Sequence, residues 1–208
     1  MNTPPRQIGE FPDWEARYQR EAIEKLPWYT VEPDRDLVAT LAGQMIQNGH
    51  FLDLGTGPGT QAVWLARQGF QVTGSDLSRT ALASAADHAQ STCVEVTWVC
   101  DDILATTLHG PFDGIFDRGC FHVLPPESRL QYVATVHKLL AADGVLLLKT
   151  FHVLETSVEG GPFRFSSQEI EALFSSHFDL IESRESRFEG ALEHQPVALF
   201  NLLKPRLL

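Results

Sequence analysis

The chain has 208 residues, about the size of one domain, and 43% of them are hydrophobic. Lysine and arginine total 16 against 27 aspartate and glutamate residues, and the resulting net charge of -11 disfavours nucleic acid and anionic membranes as partners. No apolar stretch approaches the ~20 residues that span a bilayer, and the start MNTPPRQIGE lacks a charged-then-apolar leader. We therefore expect a cytoplasmic protein.

The three cysteines, Cys93, Cys100 and Cys120, are odd in number and lack Cys-x-x-Cys spacing. This pattern argues against a disulfide framework and a zinc site, so we expect free thiols and no bound metal. No internal repeat or Pro/Gly/Ser-rich linker divides the chain. We predict a single domain over residues 1–208, and a monomer.

The amino-terminal part of the chain, residues 1–48, is predicted to form a helical arm. Residues 1–12 are rich in proline and glycine and are predicted to be irregular. Helical composition follows over 13–26 and ends just before Pro27, a residue that cannot continue a helix. Apolar residues at helical spacing predict a second helix over 36–47.

Residues 49–208 alternate short apolar runs with helical stretches, which is typical of βαβ units in a parallel sheet. The predicted strands are FLDL, FQVTGSD, VEVTWVC, FDGIFDRG, VLLLKTF after an Asp143-Gly144 turn, FDLIESRESRF and PVALFNLLK; the predicted helices are 60–68, 78–89, 127–140 and 167–175. A polar loop without room for a crossover helix joins the last two strands, so they must form an antiparallel hairpin. The predicted fold is α/β, a doubly wound, mostly parallel sheet of seven strands.

The run FLDLGTGPGT places Asp53 at the end of a strand and three glycines immediately before a helix. Gly55, Gly57 and Gly59 permit positive φ and let a ligand approach the backbone amides at the helix start. The dinucleotide fingerprint has its third glycine five residues after the first, where this chain has Thr60, and no phosphate-loop motif occurs. The pattern indicates an adenosine compound with a cationic, amino-acid-like arm.

Two further strands of the predicted core end in carboxylates. Asp76 ends QVTGSD about 20 residues beyond the glycine loop, where a carboxylate can accept both ribose hydroxyls; its alternative role is to cap the next helix. The strand VEVTWVC is followed by Asp101, Asp102 and Ile103. One of these carboxylates is predicted to accept from the adenine amino group, with Asp102 favoured over Asp101 and Ile103 beside the ring.

The acidic glycine loop, Asp76, Asp102 and the final hairpin resemble class I S-adenosylmethionine-dependent methyltransferases over nearly the whole chain. The segments DWEARY, PWYTVEP, FDRGCFHVLP and GGPFRFSSQEIEALF look like the thiopurine and thiol methyltransferase-like branch. The resemblance implies a Rossmann-like sheet, S-adenosylmethionine as cofactor, and methyl transfer to a small-molecule acceptor.

In that branch an amino-terminal segment covers the cofactor, which gives the aromatic residues of the arm a role as lid and sulfonium contact, since aromatic faces attract cations. The alternative is that Trp14 and Trp28 only pack the arm onto the core. The predicted cofactor contacts are Trp14, Tyr18, Trp28, Asp53, Gly55, Thr56, Gly57, Asp76, Leu77, Asp102, Ile103 and Asp117.

The catalytic candidates follow the fourth strand, at the edge where such sheets bind ligands. Arg118 is predicted to pair with the cofactor carboxylate or an anionic substrate, or alternatively with Asp53 or Asp76. His122 is the predicted base, if one is used, because imidazole titrates near neutrality; its alternative is a structural role. His152 is a weaker candidate of the same kind.

The leading hypothesis is an enzyme that methylates a small thiol or another soft nucleophile, because a thiolate needs no strong base. An O- or N-methyltransferase is the nearest variant and would need a base such as His122. A non-catalytic module that senses S-adenosylmethionine would keep the glycine loop but need no acceptor pocket. A nicotinamide-dependent oxidoreductase would require glycine at position 60 and a parallel sixth strand, which the sequence lacks.

Overall fold

The computed structural model describes residues 13–43, 46, 48–156, 161–190 and 194–207. The arm begins with helix α1 (Trp14–Arg20), which ends earlier than predicted because Glu21 is extended; a separate 3₁₀ turn follows at Ile23–Lys25. Helix α2 (Arg35–Ala42) also ends early, at Gly43. The predicted positions 44, 45 and 47 lie outside the described residues.

Eight strands form one sheet in the described part of the chain. They are β1 (His50–Leu54), β2 (Gln71–Asp76), β3 (Thr97–Cys100), β4 (Phe112–Arg118), β5 (Leu140–His152), β6 (Arg164–Phe165), β7 (Phe178–Arg187) and β8 (Val197–Pro205). The strand order is β3-β2-β1-β4-β5-β8-β7, and β6 pairs with β5. Strand β8 runs antiparallel to both of its neighbours, whereas all other pairs are parallel. The predicted doubly wound sheet with an antiparallel final hairpin is confirmed, with the two-residue β6 as an additional strand.

Strand β5 starts earlier than predicted. Phe112 pairs with Leu140 and Gly114 with Val145, so the register between β4 and β5 shifts within this segment. The Asp143-Gly144 pair is therefore accommodated as an irregularity inside a long strand, and it does not form a turn ahead of a short one.

Helices cover both faces of the sheet. They are α3 (Thr60–Arg67), α4 (Arg79–Ser91), α5 (Arg129–Leu139) and α6 (Ser167–Phe174), the last capped by Ser166. One apolar core packs α5 and α6 on the sheet, and a second packs α2 and α3 on the opposite face. Two covered faces explain why strands such as HFLDL read as near-continuous apolar runs. Among the described residues, no helix combines the length and the apolar character needed to cross a membrane.

Candidate active site

Strand order places the carboxyl ends of β1, β2, β3 and β4 side by side, with the change of direction between β1 and β4. Doubly wound sheets bind their ligands outside this edge. The glycine loop follows β1, Asp76 ends β2, Asp101 follows β3, and Arg118 ends β4. The fold therefore brings the sequence-predicted polar residues to one edge.

The glycine loop has the backbone shape that its sequence predicts. Gly55, Gly57 and Gly59 have φ of 69°, 53° and 81°, a region that favours glycine. A Cβ added to Gly59 would lie 2.8 Å from the Cβ of Ala85, and one on Gly57 would lie 2.8 Å from the Oη of Tyr18. Glycine is therefore needed at both positions for α4 and the arm to approach the loop, and we call the backbone of residues 55–59 the cradle.

Asp53 holds the glycine loop from beneath. Its Oδ2 accepts hydrogen bonds from the hydroxyl of Thr56 at 2.5 Å and from the backbone N–H of Ala62 at 3.1 Å. Burial raises the pKa of the Asp53 carboxyl to about 7, although these two hydrogen bonds oppose the rise. The carboxylate joins the start of the loop to the helix that follows it.

Asp76 joins the glycine loop to β2. Its Oδ2 accepts from the N–H of Gly57 at 2.9 Å and its Oδ1 from the N–H of Ser78 at 2.9 Å. Helix α4 is capped by the side chain of Ser78, which accepts from Ala81, so the alternative role of Asp76 as the helix cap is wrong. Each carboxylate oxygen keeps capacity for a further hydrogen bond.

The two carboxylates after β3 differ in their surroundings. Asp101 accepts two hydrogen bonds from Thr107 and one from Thr106. Asp102 accepts only from the N–H of Leu104, through Oδ1, and among the described residues its Oδ2 has no partner. The free oxygen favours Asp102 as the group that meets a ligand at this position.

Two apolar side chains flank the carboxylates after β2 and β3. Leu77 is 44% exposed, and Ile103 is buried. A flat apolar ring between them would cover the surface that Leu77 now exposes to water.

The arm lies directly over the glycine loop. Trp28 donates from Nε1 to the Oη of Tyr18 at 3.0 Å, Trp14 meets Trp28 edge to face, and the Arg17 guanidinium stacks over Trp28. Burial and the charge of Asp76 raise the pKa of Tyr18, so its hydroxyl stays protonated. The aromatic residues therefore pack on one another and, through Tyr18, on the loop.

Glu15 fastens α1 to the core, a role that the sequence did not reveal. Its carboxylate accepts from the hydroxyls of Ser78 and Thr80, both at 2.7 Å, and from the N–H of Thr80 at 3.1 Å. These hydrogen bonds hold its pKa at about 2. Glu15 belongs to the segment DWEARY, which the resemblance had already singled out.

The carboxyl ends of β4 and β5 carry a buried ion network. Arg118 donates from Nε to Asp34 at 2.8 Å and from its two terminal nitrogens to the backbone oxygens of Trp28 and Glu189, so the alternative pairing with Asp53 or Asp76 is wrong. The fully buried Lys149 lies 2.7 Å from Asp34 and 2.8 Å from Asp36. The sequence signal for this network was Lys149 within the apolar strand VLLLKTF. A charge on a strand that is covered on both faces has to be paired.

Asp117 is fully buried within the turn after β4. It accepts from the N–H groups of Gly119, Cys120 and Phe121 and from the hydroxyl of Tyr132. Burial raises its pKa to about 6 despite these four hydrogen bonds. The Asp117 side chain therefore shapes the turn. The turn also packs against the glycine loop, because a Cβ added to Gly55 would lie 3.2 Å from the Cβ of Cys120.

His122 lies in the 3₁₀ turn Phe121–Val123 beside two aromatic residues that the sequence did not single out. Its ring centroid is 4.9 Å from that of Phe151 and 5.6 Å from that of Phe188. Both phenylalanines stand at or directly after the carboxyl end of a strand, which could have identified them. His152 lies further out, where its Nδ1 accepts from the N–H of Leu154.

Residues 10–202 match the family model described as Thiopurine S-methyltransferase. The chain belongs to this family. It is 29% identical over 196 residues to the thiopurine S-methyltransferase of Legionella pneumophila (strain Corby), with 86% of each chain covered. It is 31% identical over 167 residues to that of Pseudomonas entomophila (strain L48), which covers 65% of this chain and 76% of the relative.

Two solved structures share the fold of this methyltransferase. One comes from work on the conversion of a disulfide bond into a thioacetal group during echinomycin biosynthesis, with a TM-score of 0.81, 23% identity, and 92% of this chain and 91% of that chain covered. The other, Burkholderia thailandensis 1,6-didemethyltoxoflavin-N1-methyltransferase, has a TM-score of 0.70 and 23% identity and covers 83% and 78%. That protein holds S-adenosylhomocysteine.

The protein is an S-adenosylmethionine-dependent methyltransferase. Its residues fit this cofactor, since the glycine loop forms the cradle and Asp76 and Asp102 keep free acceptor positions beside it. Of the predicted contacts, Gly55, Thr56 and Gly57 lie in the loop, and Tyr18 and Asp76 lie directly against it. The polar atoms of Asp53, Asp117 and Arg118 are instead engaged beneath the loop, in the turn after β4 and in the ion network.

Removing the Glu15 anchor should loosen the arm of the methyltransferase. We expect Glu15→Gln to speed dissociation of S-adenosylhomocysteine roughly 5-fold, because charged hydrogen bonds to Ser78 and Thr80 become neutral ones. Stopped-flow fluorescence of the arm tryptophans would report the rate. Glu24→Gln removes the same charge from an exposed position of the arm and should change nothing; equal rates in both variants would contradict the role of Glu15.

Proposed function

We propose that this methyltransferase transfers the methyl group of S-adenosylmethionine to the sulfur of a small thiol. The observation that carries the proposal is the state of the polar groups beyond the glycine loop. Asp117 accepts four hydrogen bonds, and Arg118 and Lys149 are both paired with Asp34. Asp117 and Asp34 already accept from these partners, and Asp76 and Asp102 are assigned to the cofactor, so an acceptor that needs no base suits the site best.

A thiol meets this requirement because it reacts as its thiolate, which is populated near neutral pH. A phenol or an amine would need a positioned base. The names of the relatives, thiopurine S-methyltransferases, support the same class of acceptor. The aromatic cluster of His122, Phe151 and Phe188, in which Phe188 is only 8% exposed, supports a small acceptor.

When bound, S-adenosylmethionine supplies a methyl group on a sulfonium, which a nucleophile displaces while the bond electrons stay with the departing sulfur. The protein has to bring the two reactants into line and exclude water, and this alignment can contribute several kcal/mol, up to about 7–11 kcal/mol. We assign the ribose to Asp76, the adenine to Leu77, Asp102 and Ile103, and the sulfonium side to the arm. Tyr18 stands over Gly57, where an added Cβ would lie 2.8 Å from its Oη.

Transfer of labelled methyl to a panel of thiophenols, thiopurines, phenols and amines tests the proposal. We expect product with the thiols and none with the phenols and amines at neutral pH, and Asp76→Ala as control should abolish the signal. Methylation of phenols or amines in place of thiols would contradict the assignment of sulfur as the acceptor atom. Cofactor binding by calorimetry without transfer to any acceptor would favour the sensor hypothesis.

A further inference from the structure

The hydrogen bonding of His122 determines where its proton lies. Nδ1 accepts from the backbone N–H of Phe151 at 3.1 Å, and the residue is only 6% exposed. Turning the ring over would set a carbon against that buried N–H and leave the amide unsatisfied. Nδ1 therefore carries no proton, and the neutral ring carries its proton on Nε2.

The position of Nε2 is defined by the turn after β4. A Cβ added to Gly119 would lie 2.9 Å from Nε2, so the nitrogen stands over a residue that has no side chain. The next residue, Cys120, packs over Gly55 of the glycine loop. Among the described residues, Nε2–H has no hydrogen-bond acceptor. A donor is thus held beside the cradle without a partner of its own.

The His122 ring is surrounded by aromatic side chains and lies near two cations. Phe188 contacts His122 and Phe151, and the cations of Arg118 on β4 and Lys149 on β5 lie 5.3 and 5.4 Å from its ring. These cations are paired with the anions Asp34, Asp36 and Glu189. The carboxylate of Asp117, in the turn before His122, accepts four hydrogen bonds. Burial and the charge of Arg118 lower the pKa of His122 to about 3.

We infer that His122 donates a hydrogen bond from Nε2 to the anionic sulfur of the acceptor and takes no proton from it. The inference rests on the proposed function, and it places the thiolate sulfur at Nε2 with the rest of the acceptor against Phe151 and Phe188. The thiol loses its proton to water before the reaction. The thiolate sulfur then forms the new bond to the methyl carbon, the carbon–sulfonium bond breaks, and His122 keeps its proton.

A matched pair of variants separates a donor from a base. His122→Gln keeps an N–H donor near Nε2 but has no basicity, whereas His122→Leu has neither; both lose the acceptor for Phe151. We expect His122→Leu to lower kcat/KM for an aromatic thiol about 10- to 100-fold, the range for a hydrogen bond to a charged group, and His122→Gln to retain most of the activity. Equal, large losses in both variants would overturn the donor assignment.

A spectroscopic titration tests the same point without turnover. The thiolate of 4-nitrothiophenol absorbs differently from the thiol, so its pKa can be measured on the enzyme with S-adenosylhomocysteine bound. The bound pKa should be lower than the free value in the wild type and in His122→Gln, and about one unit higher in His122→Leu than in the wild type. An unchanged value in His122→Leu would contradict the inference.

The failure of the inference differs from the failure of the proposed function. In the wild type, the pH dependence of kcat/KM for two thiols of different acidity should follow the pKa of each thiol, with no common ionisation between pH 5 and 8. A shared inflection near neutrality would identify an enzyme base and exclude the donor role while leaving thiol methylation intact. Absence of any thiol methylation would instead remove the proposed function itself.

Discussion

Lys149→Ala is expected to lower the free energy of unfolding by about 3–5 kcal/mol, because the loss of one buried partner weakens the compensation of two buried carboxylates. Lys149 is fully buried, and its Nζ lies 2.7 Å from Asp34 and 2.8 Å from Asp36; without it, Asp34 keeps Arg118 and Asp36 keeps the partly exposed Arg184. Denaturant unfolding followed by circular dichroism measures the change. In a chain of this size the loss corresponds to a fall of roughly 6–20 °C in the melting temperature.

Lys204→Ala is the matched control for Lys149→Ala, since Lys204 lies on β8 of the same sheet with its side chain exposed. We expect its free energy of unfolding to stay within about 0.5 kcal/mol of the wild type. A similar small change in Lys149→Ala would show that the network contributes little to stability.

The second large effect is expected at Asp76. Asp76→Asn should weaken binding of S-adenosylmethionine by roughly 100-fold or more, because a carboxylate that accepts two ribose hydroxyls is replaced by an amide with a single acceptor oxygen. The amide oxygen can still accept from the N–H of Gly57 and so hold the glycine loop, although its NH2 group then faces the N–H of Ser78 and that hydrogen bond is lost. Isothermal titration calorimetry measures the affinity.

Asp101→Asn tests whether any carboxylate at this edge would give the same result. Asp101 follows β3 and is occupied by Thr106 and Thr107, so its replacement should change the affinity less than about 3-fold. Comparable losses in the two variants would argue against ribose binding by Asp76 and for a general effect of negative charge.

The parts of the fold that could be predicted depend on local patterns. Alternating apolar runs and helical stretches predict parallel strands joined by helices, and the short loop before Val197 requires a hairpin. The glycine loop was recognisable because its glycines, a preceding carboxylate and a following helix are contiguous. The ends of α1 and α2 were missed because they depend on how the arm meets the core and not on helical propensity.

The parts of the site that could not be predicted depend on pairs far apart in the chain. Asp34 pairs with Arg118 across 84 positions and with Lys149 across 115. Nothing in the sequence near Arg118 distinguishes Asp34 from Asp53 or Asp76 as its partner. The tautomer of His122 likewise depends on the backbone of Phe151, 29 positions away.

These long separations have a consequence for how the protein acquires its structure. Loops of 84 and 115 residues must close before Asp34 can meet its partners, whereas the βαβ units need only neighbouring segments. We expect the sheet to assemble first and the arm to dock late, after the transition state for folding. The ion network then slows unfolding more than it speeds folding. Its main contribution is therefore kinetic stability.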